Sequence, residues 1–258
     1  MKRYIELKAT ILKGFNYAQF SDKVFTLQTY SKNNTHMIIP KLHYISQGNS
    51  PAEHLENIQK ACTSGAELVQ LRLKNLSEKK YLKIAQEARE ITSRFQTRLI
   101  INDHYKIAKD VKADGVHLGQ TDHCPTVVRK HLYTWQLIGG TAHTLEDCET
   151  LINKEVDYIS LGPFRFTKTK TDLPSVLGLA GYAEILKSLN TETPIIGVGG
   201  ITTNDVTDIL ETGISGIAVS GAITADFNCI KLFHELLAAS STAEQRHTFG
   251  SNTDSKPT

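Results

Sequence analysis

Short apolar runs rich in β-branched residues alternate along the chain with segments whose apolar positions recur at helical spacing. Tyr158-Ile159-Ser160-Leu161 is a run of the first kind, and Tyr81, Ile84, Ala85, Ala88 and Ile91 form a stripe of the second. That alternation is the sign of parallel βα units. Strands are predicted around residues 42–45, 68–74, 99–103, 115–119, 137–141, 158–162, 194–199 and 216–220, with a helix filling every gap. The first helix announces its limits: Ser50 caps, Pro51 takes the first position, Glu53 completes a capping box and Gly65 closes the end. Leu55, Ile58 and Cys62 are its buried stripe. Ser77 is the expected cap of the second helix, and Thr144 with Asp147 and Thr202 with Asp205 repeat the capping box. Eight alternations predict an α/β fold of the TIM (β/α)8 barrel type. An open doubly wound sheet shares the alternation, but it usually carries a glycine fingerprint after its first strand, and none stands there.

The pattern fails at both ends. Residues 1–36 hold aromatics and lysines without a sustained period of 2 or 3.6, and are expected to be an N-terminal extension. Met37 opens the barrel, expected over residues 37–239. Residues 240–258 are rich in Ser, Thr and Asn with one large apolar residue, Phe249, and are expected to form a mobile tail. The 258 residues suit one such domain. With 29 cations against 27 anions, no global field favours nucleic acid or an acidic membrane, so any anion recognition must be local. Cys62, Cys124, Cys148 and Cys229 are scattered without a Cys-x-x-Cys pair, and no leader or run of about 18 apolar residues is present. A reduced, cytoplasmic protein is expected, with small-molecule substrates and with homo-oligomerisation left open.

Candidate chemistry gathers at the C-terminal ends of the strands, where barrel enzymes carry their catalytic groups. In Leu68-Val69-Gln70-Leu71-Arg72-Leu73-Lys74, period two sets Gln70, Arg72 and Lys74 on one face. If the leucines face the helices, two cations point into the barrel mouth, a costly arrangement unless an anion meets them. The third strand ends in Asn102-Asp103 and the fourth leads to Asp122. Two carboxylates from adjacent strand ends suit Mg²⁺, although either could instead cap the helix that follows it. Gly162-Pro163-Phe164-Arg165-Phe166-Thr167-Lys168-Thr169-Lys170 ends a strand in hydroxyls and cations, as an anion-binding loop would; a solvated basic loop is the plainer alternative. Gly199-Gly200 and Val219-Ser220 end the last two strands, where backbone N–H groups can approach a phosphate. His143 follows the fifth strand and suits either acid–base work or orientation of the helix at Thr144, whereas His117 reads as a packed core histidine.

Taken in order, these segments resemble the thiamine-phosphate synthase family from residue 37 to about residue 237. The resemblance implies a TIM barrel that joins 4-amino-2-methyl-5-(diphosphooxymethyl)pyrimidine to a thiazole phosphate, releasing diphosphate. It implies that Gln70, Arg72, Lys74, Asn102, Thr141 and Lys170 hold the pyrimidine diphosphate, with Arg72, Thr141 and Lys170 acting in catalysis. Asp103 and Asp122 would bind Mg²⁺, and Thr167, Thr169, Gly200, Val219 and Ser220 the thiazole phosphate. Two positions depart from the family pattern: Thr141 replaces a serine, and His104 stands where arginine is frequent. Thiazole tautomerases share the barrel and use a histidine where His143 stands, but have no use for a diphosphate site. A non-catalytic binder of thiamine precursors is the reading from a different class.

Overall fold

The structure, a computed structural model, describes the backbone of residues 38–166 and 175–250, with side chains through residue 239. Eight parallel strands close into a barrel in sequence order: β1 (Leu42–Ile45), β2 (Leu68–Leu71), β3 (Arg98–Asn102), β4 (Gly115–Leu118), β5 (Leu137–Ala142), β6 (Tyr158–Leu161), β7 (Ile195–Val198) and β8 (Gly216–Val219). The seam pairs β8 with β1, Ala218 opposite His43. The helices are α1 (Pro51–Thr63), α2 (Glu78–Arg94), α3 (Tyr105–Asp110), α4 (Pro125–Arg129), α5 (Leu145–Asn153), α6 (Gly178–Ser188), α7 (Val206–Glu211), α8 (Gly221–Ala225) and α9 (Cys229–Gly250), with a 3₁₀ turn at Thr203–Asp205. The expected TIM barrel is therefore present. Residues 1–37, 167–174 and 251–258 lie outside the described residues, so the N-terminal extension and Thr167, Lys168, Thr169 and Lys170 do too. At the other end, α9 carries the backbone through the expected boundary at residue 240 as far as Gly250.

Alternation along the strands sorts the core into two parts. Outward residues such as Tyr44, Val69, Leu71, Ile101, Val116, Ile138, Ile159, Leu161, Ile217 and Val219 pack beneath the helices in one continuous cluster. Inward residues fill the barrel: Leu68, Ile100 and Leu137 make one small apolar group, and Tyr158, Ile196 and Ala218 another. The inward set also holds buried polar side chains, among them His43, Gln70, His117 and Ser160.

The two ends of the barrel differ. At the start of β3 and β5, Asp114 and Asp157 each accept both a strand N–H (Leu99 and Ile138) and an arginine (Arg89 and Arg129). These pairs tie helices to strand starts, a stabilising task proper to the N-terminal face. The opposite face carries the polar strand ends described next. Among the described residues, no helix is long and apolar enough to cross a membrane.

Candidate active site

β2 fixes its polar face as period two predicts. Gln70 is inward and 3 % exposed, while Leu71 and Leu73 are buried among the core residues. Beyond the strand Arg72 is half-buried and Lys74 exposed. The Arg72 backbone N–H donates to Ser46 Oγ at 3.1 Å, and that hydroxyl bonds His54 Nδ1 at 2.8 Å, so the end of β1 holds the cation-bearing segment in place.

Asn102 closes β3, buried and opposite His117. Asp103 follows with φ of 64°, a left-handed backbone uncommon outside glycine, and its N–H donates to His117 O at 2.8 Å. Strain of this kind concentrates at functional sites. The carboxyl of Asp103 meets that of Asp122, and burial first, then this neighbour, push its pKa up to about 7; the charges of Arg72 and Lys74 act the other way. Asp122 is steadied by the loop after β4, its Oδ2 accepting from Gly119 N at 2.6 Å. Neither aspartate caps a helix through its side chain: the residues at the helix starts are His104 and Cys124. His104 turns its ring onto Tyr81, with centroids 4.6 Å apart.

Two facing carboxylates beside two cations suit a hard divalent ion, whose charge would relieve the repulsion between them. The described residues hold no group of three or more His, Cys, Asp or Glu side chains that would cage a metal alone. A pair of carboxylates is what Mg²⁺ ordinarily takes from a protein, the rest of its shell being waters and substrate oxygens.

Thr141 is inward and half-buried near the end of β5, and its Oγ1 lies 2.9 Å from His117 Nε2. The ring of His143 is tied through Nδ1 to the Gly162 carbonyl, while the His143 backbone N–H donates to Asp147 Oδ2 at 2.8 Å, within the capping box that starts α5. His143 thus joins β5 to the loop after β6. That loop is strapped to the next one: Phe164 N and Arg165 N donate to Val198 O and Gly199 O, and Arg165 Nη1 donates to Gly200 O at 2.9 Å. Arg165 also forms a two-point pair with Asp205, at 2.7 and 3.0 Å.

Gly199 and Gly200 have φ of 107° and 69°. A Cβ on Gly199 would lie 2.8 Å from Pro163 Cβ, so the loop needs glycine for both space and backbone conformation. A helix dipole adds little at this loop, since only a 3₁₀ turn and the six-residue α7 follow. Val219 turns its side chain into the outer core, so any contact it makes with a ligand in the barrel mouth runs through its backbone. Ser220 Oγ donates to Gln47 Oε1 at 3.3 Å.

The structure thus brings Arg72, Lys74, Asp103 and Asp122 to one place, with Gln70, Asn102 and Thr141 on the inner ends of β2, β3 and β5. Sequence reading missed the supporting contacts of Ser46, Gln47, Arg165 and Tyr158. The arginine in the opening of the basic loop and the capping Asp205 were both visible, but nothing in their spacing said that they meet.

A profile for thiamine monophosphate synthase matches residues 42–223. Over 187 residues the chain is 44 % identical to thiamine-phosphate synthase of Flavobacterium johnsoniae, spanning 71 % of this chain and 88 % of that protein. It is 38 % identical over 185 residues to the Bacteroides fragilis thiamine-phosphate synthase, spanning 70 % and 91 %. Among solved structures it superposes on thiamine phosphate pyrophosphorylase from Pyrococcus furiosus with a TM-score of 0.66 and 26 % identity, over 77 % of this chain and 96 % of the other.

Proposed function

Because the chain belongs to the thiamine monophosphate synthase family, we propose that its strand-end cluster is the site where a pyrimidine diphosphate loses diphosphate to a thiazole phosphate. The activity itself is the family's: a transferase of thiamine biosynthesis that condenses a pyrimidine and a thiazole moiety. The catalytic unit is residues 37–239, and a cytoplasmic setting fits a biosynthetic enzyme. The observation that carries the site assignment is the meeting of Asp103 and Asp122 beside Arg72 and Lys74.

The reaction breaks the bond from the pyrimidine methylene carbon to the diphosphate oxygen. Diphosphate leaves with that electron pair, and the thiazole nitrogen supplies the pair for the new C–N bond. The electron-rich aminopyrimidine carries positive charge as the bond opens, so no protein nucleophile is needed. Asp103 and Asp122 would hold Mg²⁺, which supplies positive charge against the diphosphate oxygens. Arg72, Lys74 and Lys170 add fixed cations to the same oxygens, and Thr141 adds a hydroxyl donor. Gln70 and Asn102, buried at the inner ends of β2 and β3, present amides to the pyrimidine diphosphate. Thr167, Thr169 and the backbone N–H groups of Gly200, Val219 and Ser220 hold the thiazole phosphate.

Lys170 and Lys168 test this division of labour. Lys170→Ala is expected to lower kcat by about 10²–10³, as loss of one preorganised donor commonly does. Lys168→Ala is expected to change kcat little, because the family pattern assigns the diphosphate to Lys170 and no substrate contact to Lys168. Equal sensitivity of the two in single-turnover measurements would reduce the segment to a nonspecific basic loop.

A further inference from the structure

Inside the barrel two hydrogen-bonded side chains, Tyr158 and then His117, lead to Thr141. His117 on β4, Gly139 on β5 and Tyr158 on β6 lie side by side in the strand register. With no side chain on Gly139, the His117 and Tyr158 rings reach each other across β5 and stack, with centroids 5.6 Å apart and planes 27° from parallel. A Cβ on Gly139 would fall 2.1 Å from Tyr158 Cζ. Tyr158 OH bonds His117 Nδ1 at 3.2 Å, and His117 Nε2 bonds Thr141 Oγ1 at 2.9 Å.

We propose that His117 and Tyr158 are positioning residues that set the Thr141 hydroxyl as a hydrogen-bond donor toward the departing diphosphate. The inference deepens the site assignment above and rests on it. Tyr158 is fully buried, and a buried phenol must place its hydrogen on an acceptor. Its partner is His117 Nδ1, so that nitrogen accepts and the ring proton of a neutral imidazole resides on Nε2. Nε2–H then donates to Thr141 Oγ1. A hydroxyl oxygen that has accepted one N–H must turn its own hydrogen elsewhere, and from this strand end the acceptor offered is an anionic substrate oxygen. The β-branch of Thr141 restricts χ1 and so fixes where the oxygen stands, while the bond from His117 sets where its hydrogen can turn. His43 does not compete for the phenol: it meets the Tyr158 ring edge-on at 5.1 Å and bonds Pro40 O through Nε2 at 2.9 Å.

The test is a mutant cycle read in single-turnover rate, substrate affinity and thermal unfolding. Thr141→Val, which keeps shape and removes the hydroxyl, is expected to lower the rate by about 10²-fold. Tyr158→Phe keeps the ring; with it the rate should fall by about 10-fold, while Kd for the pyrimidine diphosphate stays within about twofold and unfolding remains cooperative. The double variant should be no slower than Thr141→Val alone. His117→Gln carries an amide N–H near the former Nε2, so in that background Tyr158→Phe should have no effect on rate. This arm decides the matter should Tyr158→Phe lose cooperative unfolding. If Thr141→Val turns over at the wild-type rate, the assignment of Thr141 fails. If Thr141→Val is slow but Tyr158→Phe is not, or if their effects multiply, the hydroxyl acts without the relay and the present inference is overturned.

Discussion

At the scale of single residues, period-two placement carried the β2 part of the candidate site. Gln70 and Arg72 take their predicted face because Leu71 and Leu73 are claimed by the core. Asp103 and Asp122 meet as expected, but the left-handed backbone at Asp103 has no signature in its letters. His117 shows the limit most clearly. Reading it as a packed core histidine was correct about its burial, yet its bond to Thr141 depends on a three-strand register that local spacing does not encode. His43 supplies a prediction at this scale. Burial, with Arg98 acting in the same direction, lowers its pKa from 6.5 to about 4 despite the Pro40 carbonyl. Between those values the unfolded chain binds the proton more readily, so stability contributed by neutral His43 is present above pH 6.5 and lost as pH falls. His43→Gln, which removes the titration, should make the loss of unfolding free energy between pH 7 and pH 5 smaller by about 2 kcal/mol. Asp103, with its raised pKa, works in the opposite direction but is common to both proteins. Parallel pH dependences in the two would reject the assignment.

At the scale of elements, strand cores were legible and so were their ends to within about a residue, except at β2. β2 stops at Leu71 although its alternation runs to Lys74, because the chain there leaves the ladder to form the rim of the site. Caps divide in the same way. Thr144 and Asp147 form the full reciprocal box, whereas Ser77 makes no side-chain bond to α2. At α1, Ser50 accepts from Glu53 N as expected, but the Glu53 carboxylate reaches Asn49 N instead of the cap residue. A serine before a helical stripe marks the boundary without guaranteeing the hydrogen bond. Thr144→Ala should therefore cost about 1 kcal/mol of unfolding free energy in urea, and Ser77→Ala only a few tenths. Equal losses would show that these caps act through backbone preference and not through the bonds seen.

At the scale of the whole molecule, eight alternations without a glycine fingerprint after the first strand pointed to the closed barrel that is present. The division of its two faces follows from what each strand end must do: Asp114 and Asp157 are consumed in ion pairs at the N-terminal face, while Asp103 and Asp122 at the other face meet each other. That contrast leads to the most direct measurement of the account, the formation of thiamine phosphate and diphosphate from both heterocycles as Mg²⁺ is titrated from a chelated start. The account predicts equimolar products, a rate that rises with Mg²⁺ to saturation, and loss of that response in both Asp103→Asn and Asp122→Asn with folding retained. Undiminished turnover after exhaustive chelation, or an unchanged Mg²⁺ response in either variant, would contradict it.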